Sequence, residues 1–307
     1  MITITDKGFL TLPVTAKKHG LAKFGVPQGG PADAFRYLLA NRLAGNTDDA
    51  WALEATLRIP GIRFDDPRAV AVVGDAALFI LRGGKKLRIN ANETVFVELG
   101  DELLACSLAA GMRAYIAVSG GLADSGFRPV PVRNGEAIHL EKTVPVQAAR
   151  IKDLPLALPG DEVVLRVLPG VQSDHFSHEG REIFFGSEYT YTANSDRMGI
   201  RLSGVPVAFA EGQDGNIISE GMLPGDIQIT SSGQPILMMA DCPVSGGYAK
   251  IAHVIAADLP IAAQLRPGAK LRFREVDVAS AHIALRRLTA AADGCIAQQR
   301  TGKTDAQ

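Results

Sequence analysis

The stretch from Ile62 to Val118 constrains the fold most. Short β-favouring runs follow one another there: Ala69–Val73, Ala77–Leu81, Leu87–Ile89, Thr94–Leu99 and Ala114–Val118. Gly83-Gly84, Asn90-Ala91-Asn92 and Gly100-Asp101 lie between them, and Ser119-Gly120-Gly121 closes the block. Glycine supplies the positive φ that tight turns need, and Asn tolerates it. Short strands at regular spacing predict a barrel or a sandwich, whereas a parallel βαβ sheet would interleave helical periods. The 32 glycines and 17 prolines suit many short turns. We expect a mainly β protein with two β-barrel-like domains and a few short helices.

Residues 1–32 read as irregular to β. Asp33 stands where an N-cap belongs, Phe35, Leu38, Leu39 and Leu43 follow at helical spacing, and Gly45 serves as the C-terminal glycine. Thr47, with Asp48 and Asp49 after it, predicts a second short helix. Residues 142–162 carry Pro145, Pro155 and Pro159 among polar residues with little periodicity, which places a domain boundary there. The expected division is 1–150, 151–288 and a frayed polar tail, 289–307. In the second domain, strands are predicted at Glu162–Leu168, Tyr189–Asn194 and Leu271–Arg274. A short helix should follow His175-Phe176, and a last helix capped by Asp277 should run through Leu288.

The second domain is organised around Ser219–Leu259. Pro224-Gly225-Asp226 is a turn signal, because Pro presets φ and Gly supplies φ > 0. Ile227-Gln228-Ile229-Thr230 alternates apolar and polar, the period of a half-buried strand. After the turn residues Ser231–Pro235 comes a continuous apolar run, Ile236–Ala240, which reads as a strand buried on both faces. Ser245-Gly246-Gly247-Tyr248-Ala249-Lys250 then predicts a tight glycine loop, or backbone that a ligand approaches closely. Asp241, Tyr248 and Lys250 would be polar handles on a loop held by rigid strands. The same pattern also fits a plain hairpin with a polar rim.

Charge and motifs exclude several functions. Lys+Arg 32 against Asp+Glu 33 leaves a net charge of −1, with no basic stripe for nucleic acid and no polybasic cluster for a membrane. No apolar run approaches the roughly 18 residues of a span. The N-terminus does not read as a signal peptide. Cys106, Cys242 and Cys295 are odd in number and far apart, which argues against disulfides or a zinc site and for a reducing cytoplasm. Gly83-Gly84-Lys85 lacks the upstream glycine of a phosphate loop and reads as a hairpin turn. No Met-Lys-Met is present for biotin attachment. His175 and His178 lack a third ligand, so no metal site is expected. Cys242 fits a buried inert thiol better than a nucleophile. Ser119 and Ser245 have no local His base. The remaining chemistry is electrostatic: cations at Arg197, Arg201 and Lys250, and carboxylates at Asp241 and Glu220. Lys250 can bind a carboxylate or polarise a carbonyl, and Arg197 can equally be a structural ion pair.

The residues themselves resemble a family. Ser219-Glu220-Gly221, Gly225, Ile227-Gln228, Gly233-Gln234-Pro235, Asp241, Gly246-Gly247-Tyr248, Lys250-Ile251-Ala252 and Val254-Ile255 stand in the order of the signature of the biotin-dependent carboxyltransferase-like family, also called allophanate hydrolase subunit 2. Phe24–Pro27, Gly30 and Asp33, then Ala40–Asn46, then Leu53-Glu54, match its N-terminal segments, and Arg197–Leu202 matches its RMGYRL. The resemblance covers roughly Gly8–Leu288. It implies cyclophilin-like β-barrel domains and one of two tasks. One is a subunit of an ATP-dependent 5-oxoprolinase, opening the lactam of 5-oxoproline to glutamate with a subunit-A-like and a subunit-B-like (KipI-type) partner. The other is transfer of a carboxylate from carboxybiotin to an acceptor such as urea. A regulator that binds a kinase inhibitor is a further reading. Taken as a free-standing chain without biotin domains, the sequence fits the 5-oxoprolinase arrangement, with ATP bound alongside the partners. Lys250, Asp241 and Arg197 are the expected catalytic groups, and Tyr248, Gly246, Gly247, Gln228, Glu220, Pro27 and Gly30 the expected substrate contacts. Where the family carries polar motifs this chain departs, at Leu12–Lys18, Leu122–Phe127, Ile229–Gly233, Cys242–Ser245 and Ala249, keeping the glycine frame.

Overall fold

A computed structural model of the chain describes residues 1–16, 20–124, 130–160 and 162–298. Strand outweighs helix, 39% against 16%, so the mainly β expectation holds. The described residues form two compact units. One takes residues 1–16, 34–157 and 290–298, and the other takes 20–33 and 158–289.

In the first unit, a six-stranded sheet runs in the order Ala137–Ile138, Ile2–Asp6, Gly61–Phe64, Glu102–Leu103, Leu78–Arg82, Lys85–Ile89. A five-stranded sheet runs Leu10–Val14, Ala52–Thr56, Ala110–Val118, Arg68–Asp75, Thr94–Val97. Alternate residues of both, among them Ile2, Ile4, Ile62 and Phe64 from one and Leu53, Ala55, Val70 and Val72 from the other, bury into a single core. Strands send successive side chains to opposite faces, so each sheet gives that core one face. Gly83 and Gly84, both at positive φ, make the two-residue turn that pairs Arg82 with Lys85. That is the geometry a tight hairpin selects, and it accounts for this glycine pair without a phosphate.

The helix expected after Asp33 spans Ala34–Leu43. The second helix, expected from Thr47, is absent, and the chain turns instead, with the Ala50 N–H bonded to the Thr47 carbonyl at 3.1 Å. The Ala50 carbonyl, which a helix would need four residues on, accepts from Tyr37 Oη at 2.6 Å and Asn41 Nδ2 at 3.0 Å. The chain therefore enters the strand Ala52–Thr56. The frayed tail also needs correcting. The last helix spans Val278–Gly294, and Ile296–Gln298 pairs antiparallel with Ala149–Ile151. Ala292 and Cys295 are buried there, which a frayed end would not achieve. Residues 299–307, and the departures at Lys17-Lys18 and Ser125–Phe127, lie outside the described residues.

The second unit is a closed seven-stranded barrel: Glu162–Pro169, Lys250–Val254, Asp226–Ile229, Pro235–Met238, Gly199–Ser203, Tyr189–Tyr191, Lys270–Glu275. An odd ring cannot alternate directions throughout, and the one parallel pair, Glu162–Pro169 with Lys270–Glu275, closes it. Leu165, Val167, Ile200, Leu202, Ile227, Ile229, Leu237 and Phe273 fill the inside. The helix His178–Gly186 is capped by Ser177, whose Oγ accepts from the Gly180 N–H, and Phe184 stacks on Phe273 with ring centroids 4.7 Å apart. Among the described residues no helix is long and apolar enough to cross a membrane.

The glycine loop expected at Gly246-Gly247 is a strand. Ser245–Tyr248 pairs antiparallel with Asn216–Gly221 in a two-stranded ribbon. The glycines mark close approach, not a turn: a Cβ on Gly246 would stand 2.7 Å from both Gln228 Nε2 and Met222 Sδ. Gln228 belongs to the barrel, so the ribbon lies against it, over the buried side chains of Met222, Met238 and Cys242.

Candidate functional site

Arg197 precedes the barrel strand Gly199–Ser203 and Asp241 follows Pro235–Met238, which pairs with it. Their side chains meet in two parallel bonds, Nε to Oδ2 at 2.7 Å and Nη2 to Oδ1 at 2.8 Å. Arg197 Nη2 also donates to the Gly30 carbonyl at 2.7 Å. The planar guanidinium suits this, since it offers a fork to a carboxylate and a spare donor to backbone. Gly30 thus joins Arg197 and Asp241. Gly29 lies close as well, since a Cβ there would stand 3.7 Å from Asp241 Oδ1. Pro27 is exposed on the same segment.

Lys250 forms a second group. Its Nζ donates to Glu220 Oε2 at 3.1 Å and to the Gly221 carbonyl at 3.0 Å. The other Glu220 oxygen accepts from Gln172 Nε2 at 2.7 Å. Gln172 is bonded to the Lys250 backbone both ways: the Lys250 N–H donates to Gln172 Oε1 at 3.2 Å and the Gln172 N–H to the Lys250 carbonyl at 3.3 Å. Lys250 and Gln172 are buried, while the Glu220 side chain is 45% exposed. The hydrogen bond from Lys250, then that from Gln172, holds the Glu220 carboxyl below its ordinary range. Gln228 Nε2 donates to the Tyr248 carbonyl at 3.1 Å, pinning the ribbon's other strand.

Other polar groups belong to this unit. Asp226 and His253 face each other across adjacent strands, with His253 Nδ1 2.8 Å from Asp226 Oδ1. His175 Nδ1 is buried with no hydrogen-bond partner among the described residues. Burial, with the nearby charges of Asp226 and Asp241, pushes the Cys242 thiol up to about 11. It stays protonated at neutral pH, and the thiolate is the nucleophile. Among the described residues no three His, Cys, Asp or Glu side chains gather to hold a metal. The arrangement gathers a lysine, an arginine and amide donors, each held by neighbouring groups. Such donors act on developing negative charge.

Residues 24–275 match the carboxyltransferase domain, subdomain A and B. The chain belongs to that family. The C-subunit of the Escherichia coli 5-oxoprolinase is 28% identical over 295 residues, 89% of this chain and 90% of its own length. The urea amidolyase of Lachancea kluyveri is 28% identical over 98% of this chain, which spans only 18% of that protein. The crystal structure of the K. lactis urea amidolyase superposes with a TM-score of 0.86 at 25% identity, over 95% of this chain and 20% of that one.

Within this carboxyltransferase-family chain, the residues singled out from sequence fall into two groups. Arg197, Asp241 and Gly30 meet in one, and Lys250, Glu220, Gln228, Tyr248 and Gly246 in the other, with Gly247 on the same strand. Lys250 and Tyr248 sit on strands, not on a loop, and Lys250 is paired with Glu220 while Asp241 is paired with Arg197. Sequence reasoning missed Gln172. Its signal was Pro169-Gly170 after the predicted strand: a Cβ on Gly170 would collide with the Lys250 carbonyl oxygen, so only glycine lets Gln172 reach the site. The Asp226–His253 pair was missed too, because two residues paired across strands carry no fixed spacing.

Proposed function

We propose that this chain is a subunit of an ATP-dependent 5-oxoprolinase, opening the lactam of 5-oxoproline with subunit-A-like and subunit-B-like partners. The observation that carries this reading is the Lys250–Gln172 pair of buried donors converging on one carboxylate, in a chain that matches a 5-oxoprolinase C-subunit over nearly the full length of both. An unstrained lactam is a poor electrophile. Phosphorylation of its oxygen by ATP activates the carbonyl carbon; one water adds there and the ring C–N bond breaks to give γ-glutamyl phosphate, and a second water hydrolyses that acyl phosphate to glutamate and phosphate. The role assigned to this chain is to bind the carboxylate and orient the ring. The attacking nucleophile is assigned to water and not to Cys242, whose thiol stays protonated. We assign ATP to the partner subunits; Gly83-Gly84-Lys85 itself is a hairpin turn.

Carboxyl transfer is the second reading, favoured by the close superposition on a urea amidolyase. It uses the same donors on a carboxylate carried by biotin. The test is ATP-dependent 5-oxoproline hydrolysis by the complex reconstituted from this chain and its genomic neighbours. Lys250→Ala should lower turnover about 10²-fold or more, the usual cost of losing one oriented donor. Unchanged turnover in Lys250→Ala, at unchanged melting temperature, would overturn the placement of the site. ATP-independent carboxyl transfer from free carboxybiotin, with no lactam opening, would favour the second reading.

A further inference from the structure

Glu220 stands where a ligand would stand. Each of its carboxylate oxygens meets a separate donor, Lys250 Nζ at 3.1 Å and Gln172 Nε2 at 2.7 Å. The donors are the fixed members. Lys250 is also tied to the Gly221 carbonyl, and Gln172 is bonded to the Lys250 backbone in both directions. Glu220 is the loose member, nearly half exposed at the surface of the ribbon.

A structural ion pair is a poor account of this asymmetry. Removing a lysine from water is costly, and a partner so open to solvent compensates little of it.

We propose that Lys250 Nζ and Gln172 Nε2 form a binding subsite for the carboxylate of a small ligand, and that Glu220 occupies it until the ligand arrives. The ligand's carboxylate takes both donors as the Glu220 side chain turns out to solvent. Gly221 and its carbonyl stay in place, so the lysine keeps one partner throughout. The exchange swaps one carboxylate for another, so the buried ammonium is never left unpaired. It also selects by charge, since a neutral analogue cannot replace Glu220 on Lys250. The identity of that ligand as 5-oxoproline rests on the function proposed above, whereas the subsite itself does not.

The apparent affinity is then the intrinsic affinity reduced by the fraction of time the subsite stands open. The experiment titrates the full chain with acetate, with 5-oxoproline and with its neutral carboxamide, following the Lys250 backbone amide, which lies beside the subsite, by NMR. Acetate reports the subsite whatever the natural substrate is. Glu220→Ala should tighten acetate about tenfold or more, the gain expected if Glu220 fills the subsite at least about 90% of the time. Adding Gln172→Ala should abolish the gain, and the carboxamide should gain nothing. Acetate bound no more tightly by a folded Glu220→Ala, or an equal gain for the carboxamide, overturns the proposal. If acetate tightens but the reconstituted complex opens no lactam, the function reading fails and the subsite stands. If the lactam opens but acetate does not tighten, the subsite alone fails.

Discussion

Arg197 and Asp241 are joined twice, Nε to Oδ2 and Nη2 to Oδ1, and the nitrogen that makes the second bond also holds the Gly30 carbonyl. One guanidinium thus fixes the end of a barrel strand and a segment far away in sequence. Lysine keeps the charge but cannot make the fork and reach Gly30 together. Arg197→Lys should lower stability by about 1–3 kcal/mol, the usual cost of a charge-assisted bond and an orphaned acceptor. Hydrogen exchange should speed up at residues 28–31. Unchanged exchange there would show that the carbonyl contact does not hold the segment.

The Glu220 carboxyl is held below its ordinary value of 4.5 by Lys250 and Gln172. A depressed carboxyl contributes stability that is present above the unfolded pKa and lost as pH falls through the folded one. The ribbon Asn216–Gly221 should therefore lose protection below about pH 4.5, beyond whatever other acids cause. The comparison is hydrogen exchange between about pH 6 and pH 3.5 for the parent and Glu220→Gln. The parent should show the larger acid-induced loss across the ribbon. Equal losses in both would remove Glu220 as its cause.

Much of this was legible in the sequence, and what was not has a physical reason. Arg68–Asp75 announces itself as a short β-favouring run and Asp226–Ile229 by local alternation, each beside turn residues. The helix Ala34–Leu43 does so by its apolar spacing. The signature around Ser219–Leu259 located the residues but mis-stated their backbone. Gly246-Gly247 reads as a loop because glycine does usually mark one, and only Gln228 and Met222 lying beneath reveal why a strand needs it. Thr47 reads as a helix start, and the long-range claim of Tyr37 and Asn41 on the Ala50 carbonyl overrides it. The partners of Lys250 were illegible in the same way. Gln172 and Glu220 lie far from it in sequence, and no local spacing announces that barrel closure will bring them together.

Two glycines beside Lys250 should behave oppositely. A side-chain carbon on Gly170 meets the Lys250 backbone oxygen, which cannot move without breaking the barrel, whereas one on Gly221 meets open space. Gly170→Ala should cost about 3 kcal/mol or more, at the upper end for overpacking, and Gly221→Ala should stay within about 0.5 kcal/mol. Urea denaturation of both measures the contrast. Similar midpoints would refute the close approach of residue 170 to the lysine strand.

Tyr189 lies inside the barrel beside Phe184 and Phe273, wholly buried, and its hydroxyl has no hydrogen-bond partner among the described residues. Burial pushes its ionisation from 10.0 up to about 12. A buried donor left unpaired costs its desolvation, so removing it should be neutral or favourable. Tyr189→Phe keeps the ring that the aromatic cluster packs against and should leave stability unchanged or raise it by up to about 1 kcal/mol. The pH dependence gives an independent check. The unfolded chain ionises this phenol near 10 and the folded one only near 12, so the parent should lose stability as pH climbs through that window, since the unfolded state then binds fewer protons. Other tyrosines add their own slope, which both proteins share. The difference between parent and variant should therefore open above about pH 10 and widen towards pH 12. A variant destabilised by more than about 1 kcal/mol at neutral pH would mean the hydroxyl is bonded after all, through a water inside the barrel.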